Sequence, residues 1–282
     1  MSVAELTWTQ VRRAAARRLR AAGVASPEAE ARWLVEEAAP DLDASVTKRT
    51  LAHFDAMLVR REKGEPLQYV LGRWGFRSLD LLVDPRVLIP RPETEVVAGA
   101  AVEEARRIDA RVAVDLGTGS GAIALALATE IPALEVWAVD ESPDALDVAR
   151  ANLAGIGRVG ARVRLVLGDW FTALPAELRG TFGVVVANPP YVADGEELPS
   201  EVADWEPTDA LYAGADGLDD IRRIISDAPA WLARPGSLVV ELAPDQALTV
   251  GALAYGSGFD EVIIGRDLAD SERYLVARMG AS

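Results

Sequence analysis

The sequence predicts an α/β protein, a mostly parallel sheet covered by helices on both faces and preceded by a small helical bundle. Three observations predict it. From Pro92 onward short apolar runs alternate with helical stretches; no strand pattern occurs before residue 74; and half of the 282 residues are hydrophobic against 26% charged, enough for a full core. The resulting division is a helical bundle at 1–73, a hairpin linker at 74–84 and the α/β domain at 85–282.

The helical part opens at Thr7-Trp8-Thr9-Gln10, a capping-box pattern with Leu6 and Val11 spaced as a hydrophobic staple. Alanine- and leucine-rich sequence runs from there to Gly23, a C-terminal stop. Ser26-Pro27-Glu28 opens the next helix, with Ser26 as cap and Pro27 at the first helical position. Leu51 to Lys63 is a further amphipathic stretch, ended by Gly64 and Pro66. Trp74, Phe76, Leu79, Leu81 and Val83 then read as a hairpin. In the α/β part strands are expected at 111–116, 135–140, 162–167, 182–187 and 236–242, and helices near 92–107, 120–130, 143–154 and 218–232. Two last apolar runs, 259–264 and 273–279, are expected to pair as an antiparallel edge.

Composition removes several classes of function. No apolar run approaches the ~20 residues that cross a bilayer, and the arginine-rich start lacks a secretory pattern, so the expected address is the cytoplasm. With no cysteine and a single histidine, His53, which has no evident role, thiolate and histidine metal chemistry is excluded and no metal is expected. The net charge of −15 is uneven. Residues 1–80 hold 13 basic and 11 acidic side chains, whereas residues 81–282 hold 16 and 33. Phosphate backbones need a basic face, so no direct nucleic-acid binding is expected, and a basic protein is the better-matched partner. A monomer is expected. Between Arg179 and Arg222 there is no basic residue but ten acidic ones, from Asp194 to Asp220. This segment reads either as an attractor for a basic substrate protein or as a solvated loop.

Two motifs carry chemistry. The first is Asp115-Leu116-Gly117-Thr118-Gly119-Ser120-Gly121, directly after a strand and opening a helix. Glycines let such a turn approach a ligand, and the helix N-terminus offers free N–H donors. Asp140, ending the next strand, is placed to accept from ribose hydroxyls. Together they imply a nucleotide-like ligand, although a glycine turn with a capping acid also occurs in any doubly wound fold. The loop departs from the dinucleotide fingerprint G-x-G-x-x-G.

The second motif is Asn188-Pro189-Pro190-Tyr191, at the end of the buried-type strand Val184-Val185-Val186-Ala187. In open parallel sheets ligands bind beyond the carboxyl ends of strands. The proline pair stiffens the backbone there. An amide nitrogen is a poor nucleophile because its lone pair is delocalised. If the Asn188 side-chain oxygen and the Pro189 carbonyl each accept one of its N–H groups, the lone pair is localised and aimed, and those acceptors stabilise the charge that develops on nitrogen. Tyr191 is the candidate to stack on the flat target.

The glycine loop resembles that of the class I S-adenosylmethionine methyltransferases, and Asp169 and Trp170 fall where such enzymes contact adenine. Trp170 has a second reading, as packing under the sheet. Taken with Pro66-Leu67-Gln68-Tyr69-Val70-Leu71-Gly72, Ile89-Pro90-Arg91-Pro92-Glu93-Thr94-Glu95, Gly168-Asp169-Trp170-Phe171, Glu206-Pro207 and Asp216-Gly217-Leu218, the chain resembles the HemK/PrmC family over nearly its whole length. These are peptide chain release factor glutamine methyltransferases. The resemblance implies a Rossmann-like class I fold with a seven-stranded sheet. It also implies transfer of methyl from S-adenosylmethionine to the glutamine of the Gly-Gly-Gln motif in class I release factors. It assigns the cofactor to Gly117, Thr118, Gly119, Ser120, Gly121, Asp140, Asp169, Trp170 and Asn188. The glutamine falls to Asn188, Pro189, Pro190 and Tyr191, with catalysis by Asn188, Pro189 and Tyr191. Arg91, Glu93 and Thr94 are expected to line the site, or else simply to form a well-made helix start. The N-terminal helices are expected to dock the release factor. The chain departs from the family pattern at Glu241-Leu242-Ala243-Pro244 and at Asp267 to Arg273. A ribosomal-protein glutamine methyltransferase and an adenine-N6 DNA methyltransferase share the chemistry and remain alternatives. A cofactor-binding regulator without catalysis is a third reading, disfavoured by the intact tetrapeptide.

Overall fold

The computed structural model describes residues 6–39, 41 and 45–281. The chain divides into two compact units, one of residues 1–73 with 198–205, the other of residues 74–197 with 206–282.

The smaller unit is helical, with α1 (Trp8–Ala21), α2 (Pro27–Ala38), α3 (Lys48–Glu62) and α4 (Leu67–Leu71). The expected capping box closes α1: Thr7 Oγ1 accepts from the Gln10 N–H, and Gln10 Oε1 accepts from the Thr7 N–H at 3.0 Å. Its apolar positions Trp8, Val11, Ala15 and Leu19 follow the helical repeat and are buried. Ser26 precedes α2 as expected, yet its side chain makes no capping bond. Helix α3 begins a turn earlier than the apolar pattern suggests, because Thr47 and Thr50 cap each other's backbone N–H groups. Trp8 and Phe54 meet edge to face at the centre of this core. Arg61, 3% exposed, bonds Glu30 at 2.6 Å and Glu201 at 2.5 Å, so residues 198–205 are fastened inside this unit by a buried charge.

The larger unit begins with the hairpin β1 (Arg73–Phe76) and β2 (Leu79–Leu82), followed by α5 (Pro92–Arg107), β3 (Val112–Leu116), α6 (Ala122–Glu130), β4 (Glu135–Asp140), α7 (Pro143–Gly155), β5 (Val163–Leu167) and β6 (Phe182–Ala187). After α8 (Ser200–Ala203), which belongs to the smaller unit, come α9 (Asp219–Asp227), β7 (Leu232–Glu241), α10 (Ala247–Gly256), β8 (Glu261–Arg266) and β9 (Glu272–Met279). Seven strands form one sheet in the order β5-β4-β3-β6-β7-β9-β8, parallel except for β9, which runs antiparallel to both neighbours. This is the expected class I architecture.

Strand periodicity explains the layering. In β6, Val184 and Val186 face the core under α5 and α6, while Val185 and Ala187 face the core under α9 and α10; Phe182 joins the second core across a register shift between Phe182 and Val184. A strand buried on both faces reads as an unbroken apolar run, which is how it looked in the sequence. The hairpin inserts Phe76 and Leu81 into the first of these cores. It is pinned by Asn152 of α7, whose Oδ1 accepts from Leu82 N at 2.7 Å and whose Nδ2 donates to Leu82 O and Ser120 O.

Two elements differ from expectation. The helix expected near 218–232 stops at Asp227, because Pro229 cannot continue it, and β7 starts at Leu232. Helix α10 was not anticipated. Its sequence, ALTVGALAYG, has no polar stripe to betray a 3.6-residue period, and it contains Gly251.

Candidate active site

Strand β3 has β4 on one side and β6 on the other, so the direction of winding reverses there and the crevice at the strand tips is open to a ligand. Leu116 is paired with Ala187, so Gly117 and Asn188 leave the sheet side by side. A β-carbon on Gly117 would sit 3.9 Å from the Asn188 carbonyl oxygen. A cavity of about 610 Å³ opens at this point, a size typical of small-ligand sites. Its wall includes Gly117 to Ser120, Asp140, Asp169, Trp170, Asn188, Pro190 and Thr94, all from the larger unit.

The glycine loop is held by backbone bonds. Gly117 and Thr118 both donate to Val139 O at 2.9 Å, and Gly121 donates to Thr118 O at 2.8 Å before capping α6 off the cavity wall. Gly117 lies at φ +71°, and a β-carbon there would press on the Trp170 ring at 3.1 and 3.3 Å, so both conformation and space require glycine. Asp140 Oδ2 accepts from Gly119 N at 2.8 Å and Oδ1 from Ser142 N at 2.9 Å. Each oxygen keeps a second lone pair, and the residue lines the cavity. Burial pushes its carboxyl above the usual range, against those two N–H groups. Asp115 lies beneath the loop, taking Thr118 Oγ1 at 2.6 Å and Ala124 N at 3.0 Å on Oδ2 while Oδ1 has no partner. Burial raises its pKa to about 7.

Trp170 adopts φ +42° and donates Nε1–H to Asp220 Oδ1 at 3.1 Å, which sets its indole edge beside Gly117 on the cavity wall. The Asp169 carboxylate is bonded to Arg223 at 2.5 Å. The fit for a nucleoside-sized cofactor rests on these features: a cradle that any side chain at 117 would fill, an indole edge, an acid with free lone pairs and an orphaned carboxylate oxygen below.

The tetrapeptide divides. Asn188 and Pro190 line the cavity, Pro189 is buried, and Tyr191 lies off the wall, its ring packed among the core residues under α9 and α10. Its hydroxyl donates to Glu241 Oε1 at 3.5 Å, and burial raises the phenol further. Of the three residues at the start of α5, Thr94 is buried on the cavity wall and accepts from Asn188 Nδ2 at 3.2 Å. Arg91 instead pairs with buried Glu206, whose Oε2 accepts from Ile89 N at 3.1 Å; this anchors the stretch that carries Pro207 and Asp209 onto the wall. Glu93 is half-buried and off the wall.

Sequence reasoning missed Glu241, Gln246 and the clamp at Glu206. Gln246 receives the Ala243 N–H on Oε1 at 3.1 Å, which turns Nε2 toward the Tyr191 carbonyl at 2.9 Å. A Pro244 with glutamine two residues later was the available signal, a helix-start pattern after a strand. The acidic segment is also less bare than its sequence suggests: Asp216 and Asp219 pair with Arg222, Asp220 with Arg223, Glu201 with Arg61 and Glu206 with Arg91.

Known proteins resemble this chain along most of its length. A family described as the PrmC N-terminal domain matches residues 10–72, and one described as the methyltransferase small domain matches residues 100–204. The release factor glutamine methyltransferase of Bifidobacterium longum is 40% identical over 290 residues, covering 95% of this chain and 98% of its own. That of Gloeobacter violaceus is 44% identical, covering 77% and 76%. Among solved structures, the Thermus thermophilus 16S rRNA N2 G1207 methyltransferase, in complex with AdoMet and guanosine, shares the fold at TM-score 0.53 and 20% identity, covering 73% of this chain and 49% of that one.

Proposed function

This chain belongs to the release factor glutamine methyltransferase family, and on that premise we propose that it methylates the side-chain amide nitrogen of the Gly-Gly-Gln glutamine in class I peptide chain release factors. S-Adenosylmethionine is the methyl donor in this reading, and translation termination in the cytoplasm is its setting. The observation that carries the reading is the adjacency of Gly117 and Asn188, fixed by the Leu116–Ala187 pairing, which puts acceptor groups beside a nucleoside-sized cavity.

S-Adenosylmethionine, when bound, supplies an electrophilic methyl group on a sulfonium. Asp140 would hold the ribose hydroxyls, and Trp170, Asp169 and Ser120 would bound the adenosine end. Asn188 Oδ1 and the Pro189 carbonyl each accept one N–H of the target glutamine, which localises its lone pair and offsets the positive charge that grows on nitrogen. No strong base is required, because the methylated nitrogen is strongly acidic and sheds its extra proton to water. Orientation of this kind is worth up to ~7–11 kcal/mol of barrier. Tyr191 contributes by anchoring the end of the tetrapeptide through Glu241 and Gln246.

The test is methyl transfer from labelled S-adenosylmethionine to a purified class I release factor and to the same factor with its Gly-Gly-Gln glutamine replaced by alanine. Label on the unaltered factor alone is the expected result. Equal label on both, or label on neither, overturns the reading.

A further inference from the structure

Resting on that reading, we infer that Thr94 and Glu241 are positioning residues that set the direction in which the Asn188 amide faces. An asparagine side chain has a donor end and an acceptor end of nearly the same shape, so the reaction needs something that tells them apart. Here Asn188 Nδ2 donates to Thr94 Oγ1 at 3.2 Å, leaving Oδ1 for the cavity. A hydroxyl can also donate, so the sense of this contact is fixed only when the single Thr94 hydroxyl hydrogen is given to another acceptor rather than to Asn188 Oδ1.

Glu241, whose carboxyl interacts with Thr94, is the acceptor within its reach. This residue ends β7, is fully buried, and faces the Thr94 hydroxyl. Its Oε1 takes the Tyr191 hydroxyl at 3.5 Å, and its Oε2 has no close partner. Its Oε1 bond anchors Tyr191, and the spare oxygen is costly to bury without a second partner. Around it stand Thr94 and Glu93 of α5, Tyr191 after β6, and Arg273 of β9. Burial, opposed by Thr94, Arg273 and Tyr191 and reinforced by Glu93, brings its pKa to about 7. Ionised, it accepts from Thr94 and the amide is locked with Oδ1 toward substrate. Protonated, it can donate to Thr94, which frees the threonine hydrogen for Asn188 Oδ1 and lets the amide turn over.

The comparison to make is wild type, Thr94→Val, Thr94→Ser and Glu241→Gln. Valine keeps the volume and deletes the hydroxyl; serine restores the hydroxyl. Thr94→Val should lower kcat for methyl transfer at least tenfold with cofactor Kd and thermal midpoint nearly unchanged, and Thr94→Ser should return to within about threefold of wild type. Wild-type kcat should fall on the acidic side of neutrality, and Glu241→Gln should lose that limb. In 15N-labelled protein the Asn188 side-chain NH2 should be protected from exchange in wild type and Thr94→Ser and unprotected in Thr94→Val. This last measurement needs no substrate, so it decides the inference even if release factor transfer fails. Full activity or retained amide protection in Thr94→Val, a parallel loss of cofactor affinity, or a serine variant as poor as valine overturns it.

Discussion

The two halves of the cavity mouth are held by opposite means. The glycine loop is fixed through its backbone, with Gly117 and Thr118 sharing the Val139 carbonyl and Gly119 tied to Asp140. The Asn-Pro-Pro-Tyr turn is fixed through side chains that arrive from elsewhere: Thr94 from α5, Glu241 from β7, and Gln246 after it. The difference suits their tasks. A loop that cradles a cofactor presents N–H groups and needs no particular side chain. A turn that aims a nucleophile depends on which end of one amide points outward, and backbone alone does not determine that.

This contrast is open to attack by substitution, beginning with the largest effect. Asn188→Ala removes an acceptor that acts in the transition state, so kcat for release factor methylation should fall ~100- to 1000-fold while the fold persists. If cofactor binding falls as steeply, Asn188 belongs to the cradle as much as to the aim. Glu104→Gln tests both halves by touching neither. Burial alone would raise the Glu104 pKa, but Arg278, Arg107 and Ser237 bring it to about 2, and the cluster staples α5 to β7 and β9. The substitution should cost about 3 kcal/mol in chemical denaturation. Because the folded pKa lies below the unfolded value of ~4.3, this contribution is present above pH ~4 and is lost as pH falls toward 2. Activity per folded molecule at neutral pH should be unchanged.

Gly117→Val drives a side chain into the Trp170 edge at a position with φ +71°. Calorimetry should show cofactor affinity reduced more than tenfold, and any remaining turnover at saturating cofactor would separate the cradle from the aim. Gln246→Leu, the mildest change, leaves the Tyr191 carbonyl without its 2.9 Å donor. A three- to tenfold loss in kcat with unaltered cofactor affinity is the expected outcome, and the reverse split would assign Gln246 to the wrong half.

Much of the site was legible before any coordinates, for a physical reason. Glycine at a turn, an acid at a strand tip and a rigid proline pair are local requirements, and each leaves its mark within a few residues. The supports of the turn were not legible. Glu241 and Thr94 are separated by well over a hundred positions, and Glu241 drew notice only as part of an unusual strand end. Tyr191 shows the limit of local reading: an aromatic after two prolines suggests a stacking platform, and its bond to Glu241 and its packing against the core under α9 and α10 leave no local mark. Helix α10 was hidden for the converse reason, since uniform apolarity erases periodicity.

By itself, then, the sequence determined the strand-helix alternation, the glycine turn and the acceptor tetrapeptide, because these follow from short-range backbone geometry and from chemistry carried by adjacent residues, while the reaction class came from the resemblance those motifs carry. Only the tertiary structure decided that Gly117 and Asn188 stand side by side, that Tyr191 meets Glu241, that residues 198–205 join the helical unit, and that Thr94 meets the Asn188 amide. Those are consequences of strand order and of packing between distant segments, where the partner of a side chain is chosen by burial and hydrogen-bond satisfaction rather than by its neighbours in the chain.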